Sequence, residues 1–152
     1  MKIVSESTWT FQMMIFFILI FACFLTLVLN YNKAYTVKNR MLTIVEKYEG
    51  ITLSSQEIIN DYISNKGYQN KGKCPNTGGW IGAVDLNGKY EIAKDNNTYF
   101  YCFLKNVNNS LVSYDIKVFF KFELPVIGSI ANYDINGTTK SFIGAEDQIE
   151  VK

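Results

Sequence analysis

The most regular part of the sequence reads Val112-Ser113-Tyr114-Asp115-Ile116-Lys117-Val118-Phe119-Phe120-Lys121-Phe122-Glu123-Leu124. Apolar and aromatic residues take every second position, and polar residues take the positions between them, with Phe119 as the exception. Because strand side chains alternate between the two faces of a sheet, this pattern predicts a long antiparallel strand with one buried and one wet face. Pro125 is expected to end it.

The residues on either side of this strand predict further strands joined by short turns. Asn87-Gly88 favours a type I′ hairpin turn, because both central residues of that turn need positive φ. The other strands are predicted at residues 80–86, 89–94, 98–105 and 133–143. Turns or connections are predicted at 95–97, 106–109 and 126–131, with a polar tail at 144–152. The sequence therefore predicts an antiparallel meander of about five strands between about residues 80 and 143.

Helical spacing replaces the strand pattern before residue 67. Ser54-Ser55-Gln56-Glu57 matches a capping box with Ser54 as cap, and Gly67 suits a helix stop, so a helix is predicted at 55–66. A second helix is predicted at 31–49, with Gly50 as its stop. Its apolar stripe, interrupted by Lys38, comprises Tyr31, Ala34, Tyr35, Met41, Leu42, Val45 and Tyr48. This stripe is the expected cover for the apolar face of the sheet.

The helix is expected to continue back into an apolar segment from Trp9 to Leu29, because no Pro or Gly precedes Gly50. Its 21 residues span roughly 31 Å as a helix, about the thickness of a hydrocarbon core. We therefore predict an α+β protein with a tail and transmembrane helix at 1–30 and a head at 31–152. The residues expected to contact the lipid bilayer include Trp9, Phe16, Ile20, Phe24 and Leu29.

Three alternatives stay open for this N-terminal part. A cleaved signal peptide is disfavoured because Lys2 is offset by Glu6 and residues 26–30 contain no Ala-x-Ala. A lipoprotein would use Cys23, but the sequence stays apolar after it. The helix could also break near residues 30–32, which would give two helices.

Cys74 and Cys102 are the only cysteines outside the apolar segment. An even pair in a small domain is typical of an oxidising compartment, so we predict a disulfide and an extracytoplasmic head; two buried thiols are the alternative. The basic residues favour the opposite orientation, since the positive-inside rule places the more basic flank in the cytoplasm. That flank carries Lys33, Lys38, Arg40 and Lys47, against Lys2 on the other side.

Composition weighs against several functions. Fifteen basic residues nearly cancel fourteen acidic ones, which disfavours a nucleic-acid partner, and the absence of histidine removes serine-histidine catalysis and common zinc sites.

The run from Gly67 to Cys74 nearly matches a phosphate-binding loop, but Cys74 stands where a hydroxyl is needed and Pro75 follows. We predict no enzyme activity, catalytic residue, cofactor, metal or nucleotide.

The C-terminal part carries a resemblance to a known family. Phe122-Glu123-Leu124-Pro125-Val126-Ile127-Gly128, followed by Tyr133-Asp134-Ile135-Asn136-Gly137-Thr138-Thr139-Lys140-Ser141, resembles the closing hairpin of TadE-like minor pilins, which are pseudopilins of the tight-adherence pilus. Together with the long N-terminal helix, the resemblance covers roughly residues 9–48 and 114–143. The sequence departs from the prepilin pattern in one respect, because Glu6 precedes the apolar segment.

The resemblance implies a non-enzymatic subunit of a bacterial pilus or secretion-type assembly. Its apolar helix would pack among other pilin-like or membrane subunits, and its sheet would face outward. The alternative is a membrane-tethered accessory subunit that binds a partner without entering a filament.

Overall fold

The computed structural model describes the backbone of residues 2–124 and 128–143 and the side chains of 8–121, 128 and 132–143. The expected α+β class is confirmed: two helices pack on one five-stranded antiparallel sheet. The helices are α1 (Lys2–Lys47) and α2 (Leu53–Asn65). The strands are β1 (Ile81–Ala83), β2 (Tyr90–Ile92), β3 (Tyr101–Asn108), β4 (Leu111–Leu124) and β5 (Gly128–Thr138).

The strands lie in the order β2-β1-β3-β4-β5, which departs from a simple meander at one point. β3 pairs with β1 rather than with β2, so the β1–β2 hairpin forms one edge of the sheet. The long β3–β4 and β4–β5 pairs form its centre. β4, the strand with the clearest alternation, therefore lies between two long partners.

The type I′ prediction at Asn87-Gly88 is wrong, although the β1–β2 hairpin exists. Gly88 has positive φ but Asn87 does not. The Asp85 carboxylate instead accepts hydrogen bonds from the Asn87 and Lys89 amides and holds a wider loop. Positive φ at two adjacent residues occurs at Asn109 (48°) and Ser110 (72°), the two-residue turn between β3 and β4.

The last strand begins earlier than predicted and also ends earlier. The sequence analysis placed it at 133–143, whereas β5 begins at Gly128, opposite Leu124, and ends at Thr138. A bulge at Phe122/Glu123 shifts the register between β4 and β5. After β5 only Phe142 returns to the sheet, by a bridge to Val112. The predicted strand end at Pro125, part of the predicted connection (126 and 127) and the predicted tail at 144–152 lie outside the described residues.

The ends of both helices differ in detail from the prediction. At the end of α1 the residue with left-handed φ is Glu49 (φ 50°), and Gly50 follows it and donates to the Val45 carbonyl at 3.1 Å. The cap of α2 is Thr52 rather than Ser54, because the Thr52 side chain accepts from the Ser55 amide at 3.3 Å. Gly67 ends α2 as predicted.

The core lies between α1, α2 and one face of the sheet. The five even-numbered residues from Val112 to Phe120 are buried on that face, as the alternation predicted. The α1 residues of the core are Ala34, Val37, Met41, Ile44 and Val45. Tyr31 and Tyr35, expected in the stripe, are instead more than 40% exposed, and Val37 and Ile44 take part in their place.

A second, smaller cluster explains why Phe119 breaks the alternation. It lies on the opposite face of the sheet and contains Cys74, Ala93, Tyr99, Cys102 and Phe119. Gly72 packs flat against the Phe119 ring, where a Cβ atom would lie 2.2 Å from the ring. The long loop after α2 therefore covers this face and keeps Phe119 out of water.

Candidate membrane anchor and its junction with the head

The N-terminal half of α1 carries an unpartnered apolar surface. Every side chain from residue 8 to residue 21 is exposed, although most of these residues are apolar. The residues predicted to contact lipid are between 50% and 68% exposed, namely Trp9, Phe16, Ile20, Phe24 and Leu29. Among the described residues one helix is long and apolar enough to cross a membrane, by length and composition: Thr8–Lys47.

The head begins to pack on α1 within the apolar segment itself. Side chains become half-buried at Ala22 and Cys23, and again from Thr26 to Val28. The Asn30 side-chain amide donates to the Lys121 main-chain carbonyl at 3.2 Å. α1 runs without a break through this junction, so the alternative of two helices near residues 30–32 is wrong.

Aromatic rings gather just beyond the apolar segment. Tyr31 packs edge-on against Phe120 with ring centres 5.7 Å apart, and Phe120 stacks on Tyr133 at 5.4 Å. Tyr31 also stacks on Tyr35 at 6.1 Å. Tyr31, Tyr35 and Tyr133 each keep between 42% and 50% of their surface exposed. We call these three exposed tyrosines the tyrosine collar.

Two lysines lie beside the collar in polar or aromatic contacts. The Lys38 ammonium lies 4.4 Å from the centre of the Tyr35 ring, and its stem packs over Gly137 of β5. This contact explains how the lysine that interrupts the apolar stripe is itself buried. The Lys33 ammonium donates to the Gly67 carbonyl at 2.8 Å and so ties α1 to the end of α2.

The two head cysteines lie at bonding distance. The Sγ atoms of Cys74 and Cys102 are 1.97 Å apart and the Cα atoms 5.8 Å apart. The pair joins the loop after α2 to β3, the connection predicted from the sequence. Cys23 is free and half-buried in the apolar segment.

Tyr68 completes the sheet beside the first residue of β3. β3 begins at Tyr101, opposite Val118, so it has no residue to pair with Phe119. The buried Tyr68 hydroxyl accepts from the Phe119 amide at 2.8 Å and donates to the Phe119 carbonyl. Burial raises the pKa of Tyr68, more than the hydrogen bond from Phe119 lowers it.

A buried polar ring joins α2 to the sheet. The Tyr101 hydroxyl donates to Asn60 Oδ1 at 3.0 Å, Asn60 Nδ2 donates to the Tyr90 hydroxyl at 3.4 Å, and the two hydroxyls are 2.8 Å apart. Burial raises the pKa of Tyr90 and raises that of Tyr101 well above its usual value. Both phenols therefore stay neutral, which fits a structural role.

A shallow groove lies between α2 and the β1–β2 loop. Its lining includes Leu53, Gln56, Glu57, Asp61, Leu86 and Asn87. Gln56 is 6% exposed, and its Nε2 has no hydrogen-bond partner among the described residues. None of the described lining residues is basic, so the groove offers two carboxylates, those of Glu57 and Asp61.

The run that nearly matches a phosphate-binding loop has a structural role. Gly67 ends α2, Gly72 packs on Phe119 and Cys74 lies beside Cys102, so these three residues of the phosphate-loop-like run shape the fold. The described residues contain no group of three or more His, Cys, Asp or Glu side chains placed to hold a metal.

Comparison of the chain with protein-family models, curated proteins and solved structures gives no match. The likeness to TadE-like minor pilins therefore rests on the residues quoted above and stays a proposal. Sequence reasoning missed the Gln56 groove, the Tyr68 contact and the buried polar ring. The only signal for them was an unusual number of tyrosines, and nothing in the pattern says which tyrosine meets which backbone group.

Proposed function

We propose that this chain is a non-enzymatic, single-pass membrane protein and a pilin-like subunit of a bacterial envelope assembly. The observation that carries the proposal is the run of exposed apolar side chains on α1, which continues as the same helix into the core of the head. A surface of this kind requires lipid or other apolar helices around it. The TadE-like closing hairpin supports a filament or secretion-type assembly as the destination.

The first experiment tests whether the apolar segment anchors the chain. The double variant Phe16→Arg/Ile20→Arg places two charges near the middle of the segment, at a cost of about 2.5–3.5 kcal/mol each in a bilayer. We expect it to be lost from membranes washed with alkaline carbonate. The matched control is Thr36→Arg/Thr43→Arg, at exposed positions of the same helix beyond the segment, which should stay in the pellet. Equal retention of both variants would contradict the anchor.

The second experiment tests the assembly role. A photo-crosslinking residue at Phe17, which is 68% exposed, should give adducts with other membrane subunits, whereas the same residue at Thr43 should not. Purified filaments should contain the chain. Filaments that lack it, together with no adduct from Phe17, would leave an anchored protein without an assembly role.

Orientation is part of the proposal and has its own test. The bonding distance between Cys74 and Cys102 favours an oxidising compartment, and the basic flank after the segment favours the cytoplasm. We propose the extracytoplasmic head. External protease should then remove a C-terminal tag from intact cells, and reduction should change the mobility of the chain on a gel. A protected tag with free thiols would place the head in the cytoplasm.

The groove beside α2 favours a second candidate function, a tethered binding subunit. Glu57 and Asp61, one helical turn apart on the lining, suit a cation, so the matching ligand is a peptide with Lys or Arg. A fluorescent Lys-rich peptide should bind in a salt-dependent way and lose binding in Glu57→Gln/Asp61→Asn. The control, Asp95→Asn, lies outside the groove lining. Equal binding by all three proteins would remove this candidate.

A further inference from the structure

β4 runs antiparallel along α1, and contacts at two levels fix their alignment. Asn30 bonds to Lys121 at one level, and Glu46 accepts from the Lys140 amide at the other, where the neighbouring Thr139 bonds to Tyr114. From Asn30 to Glu46 a helix advances about 24 Å. From Lys121 to Tyr114 a strand advances about 23 Å. The two elements therefore lie side by side over this whole length.

The same alignment places the ends of β4 and β5 beside the apolar segment. β4 continues from Lys121 to Leu124, about 10 Å further, and there pairs with Gly128 at the start of β5. On α1 that distance is about seven residues, which reaches the level of Cys23. Burial agrees with this estimate, because the α1 side chains from Thr8 to Phe21 are all exposed and the next, Ala22, is half-buried.

The residues of α1 whose side chains the structure describes as fully clear of the head, 8–21, are too few to span a bilayer by themselves. Residues 8–21 span about 21 Å as a helix, against a hydrocarbon core of about 30 Å. Extending the span toward the N-terminus would place Glu6 in lipid, where a carboxylate is costly. Extending it toward Leu29 adds only uncharged residues of α1, and those residues lie level with the ends of β4 and β5.

The aromatic residues mark the same boundary. Trp9 and Tyr31 are 22 residues apart, about 33 Å along a helix, and Trp and Tyr are enriched at the two membrane interfaces. Tyr133 lies at the level of Tyr31, because both rings pack on Phe120. The tyrosine collar therefore lies at one interface when Trp9 lies at the other.

We propose that the head is partly immersed in the bilayer. The tyrosine collar lies among the lipid headgroups, and the ends of β4 and β5, at Leu124 and Gly128, lie below it beside the last two turns of the apolar segment. The lipid of the leaflet nearest the head covers this immersed surface. The inference rests on the proposed anchor, because only a head that is attached to a membrane can be immersed in it.

Fluorescence from single labelled cysteines tests the depth of the head. The full chain with Cys23→Ser, with the Cys74–Cys102 pair intact, carries an environment-sensitive dye at one of four positions in vesicles of phosphatidylcholine and phosphatidylglycerol. Tyr133→Cys and Asn132→Cys report the immersed end, and two variants are used in case one of them disturbs β5. Phe16→Cys is the control for lipid, and Asn108→Cys, exposed at the far end of β3, is the control for water.

The four labels separate the possible results. We expect the labels at 133 and 132 to be quenched by lipid that is spin-labelled near its headgroup and to be less accessible to iodide than the label at 108, while the label at 16 is protected from iodide. Labels at 133 and 132 that behave like 108, with 16 still in lipid, would overturn the immersion and leave the anchor standing. A label at 16 that is open to iodide would overturn the anchor, and the proposed function with it.

Discussion

The hydroxyl of Tyr68 acts as part of the sheet. It meets both the amide and the carbonyl of Phe119 at a point where β3 offers no partner. A tyrosine from a loop thus replaces the missing strand residue. Buried backbone groups without hydrogen-bond partners destabilise the folded state. The Tyr68 hydroxyl therefore stabilises the head, although Tyr68 lies in a loop.

Tyr68→Phe should destabilise the head by about 1–3 kcal/mol, because it leaves two buried backbone groups unpaired and changes little else. Urea unfolding of the full chain in detergent measures the loss. Tyr35→Phe is the matched control, since it removes a hydroxyl from a ring that is 44% exposed. Equal stability of the two variants would contradict the role given to Tyr68.

Glu49 occupies a position that favours glycine. Its φ of 50° lies in the left-handed region, and no described contact holds its side chain there. Glu49→Gly should therefore stabilise the chain by about 0.5–1 kcal/mol, measured by the same unfolding. Glu49→Ala is the control, because alanine removes the charge but keeps the Cβ atom. A gain of the same size in both variants would assign the effect to charge.

At the scale of elements, the loop between α2 and β1 contains no helix or strand, and a few specific contacts hold it in place. The Cys74–Cys102 pair, the Gly72–Tyr99 bridge and the Phe119 ring hold it over the sheet. The loop between the two cysteines includes β1 and β2. A bond between them therefore restrains the whole β1–β2 edge.

Replacing both head cysteines by alanine should cost about 3 kcal/mol of stability, since the bond closes a loop of 29 residues in the unfolded chain. The measurement is urea unfolding in detergent without reductant. Cys23→Ser should leave the midpoint unchanged, because that thiol forms no bond among the described residues. A midpoint that also stays unchanged without Cys74 and Cys102 would show that the native pair is reduced.

The elements whose apolar residues repeat at a regular spacing were predictable from the sequence. The elements and contacts that depend on distant residues were not. β4 and α1 carry long repeats, so both were placed from the sequence; β4 agrees within one residue at its start. Asn87-Gly88 failed because the Asp85 side chain, two residues earlier, captures the local amides. The shift of β5 depends on pairing between distant residues at a bulge, which no local pattern encodes. The groove and the polar ring likewise join α2 to residues about 30 or 40 positions away.

At the scale of the whole molecule, the core of the head contains several buried phenols. Burial raises the pKa of Tyr68, Tyr90 and Tyr101 above the usual value of about 10. The unfolded chain would lose these protons near pH 10 while the folded head keeps them. Ionisation of these tyrosines therefore lowers the free energy of unfolding only above about pH 10.

The free energy of unfolding should not depend on these tyrosines below about pH 10 and should fall above it, by up to about 1.4 kcal/mol per pH unit for each of the three. Urea unfolding at a series of alkaline pH values gives the slope. Tyr101→Phe should make the slope shallower by one tyrosine. An unchanged slope in that variant would mean that Tyr101 ionises equally in both states.

The uninterrupted course of α1 also has a mechanical consequence. The helix has 46 residues and a length of about 69 Å, and it is joined to β4 along its second half. In the membrane-spanning arrangement proposed above, a tilt of about 20°, the average for membrane helices, displaces the far end sideways by about 24 Å. Because α1 is unbroken between its two halves, any change in bilayer thickness that alters this tilt would also move the head sideways.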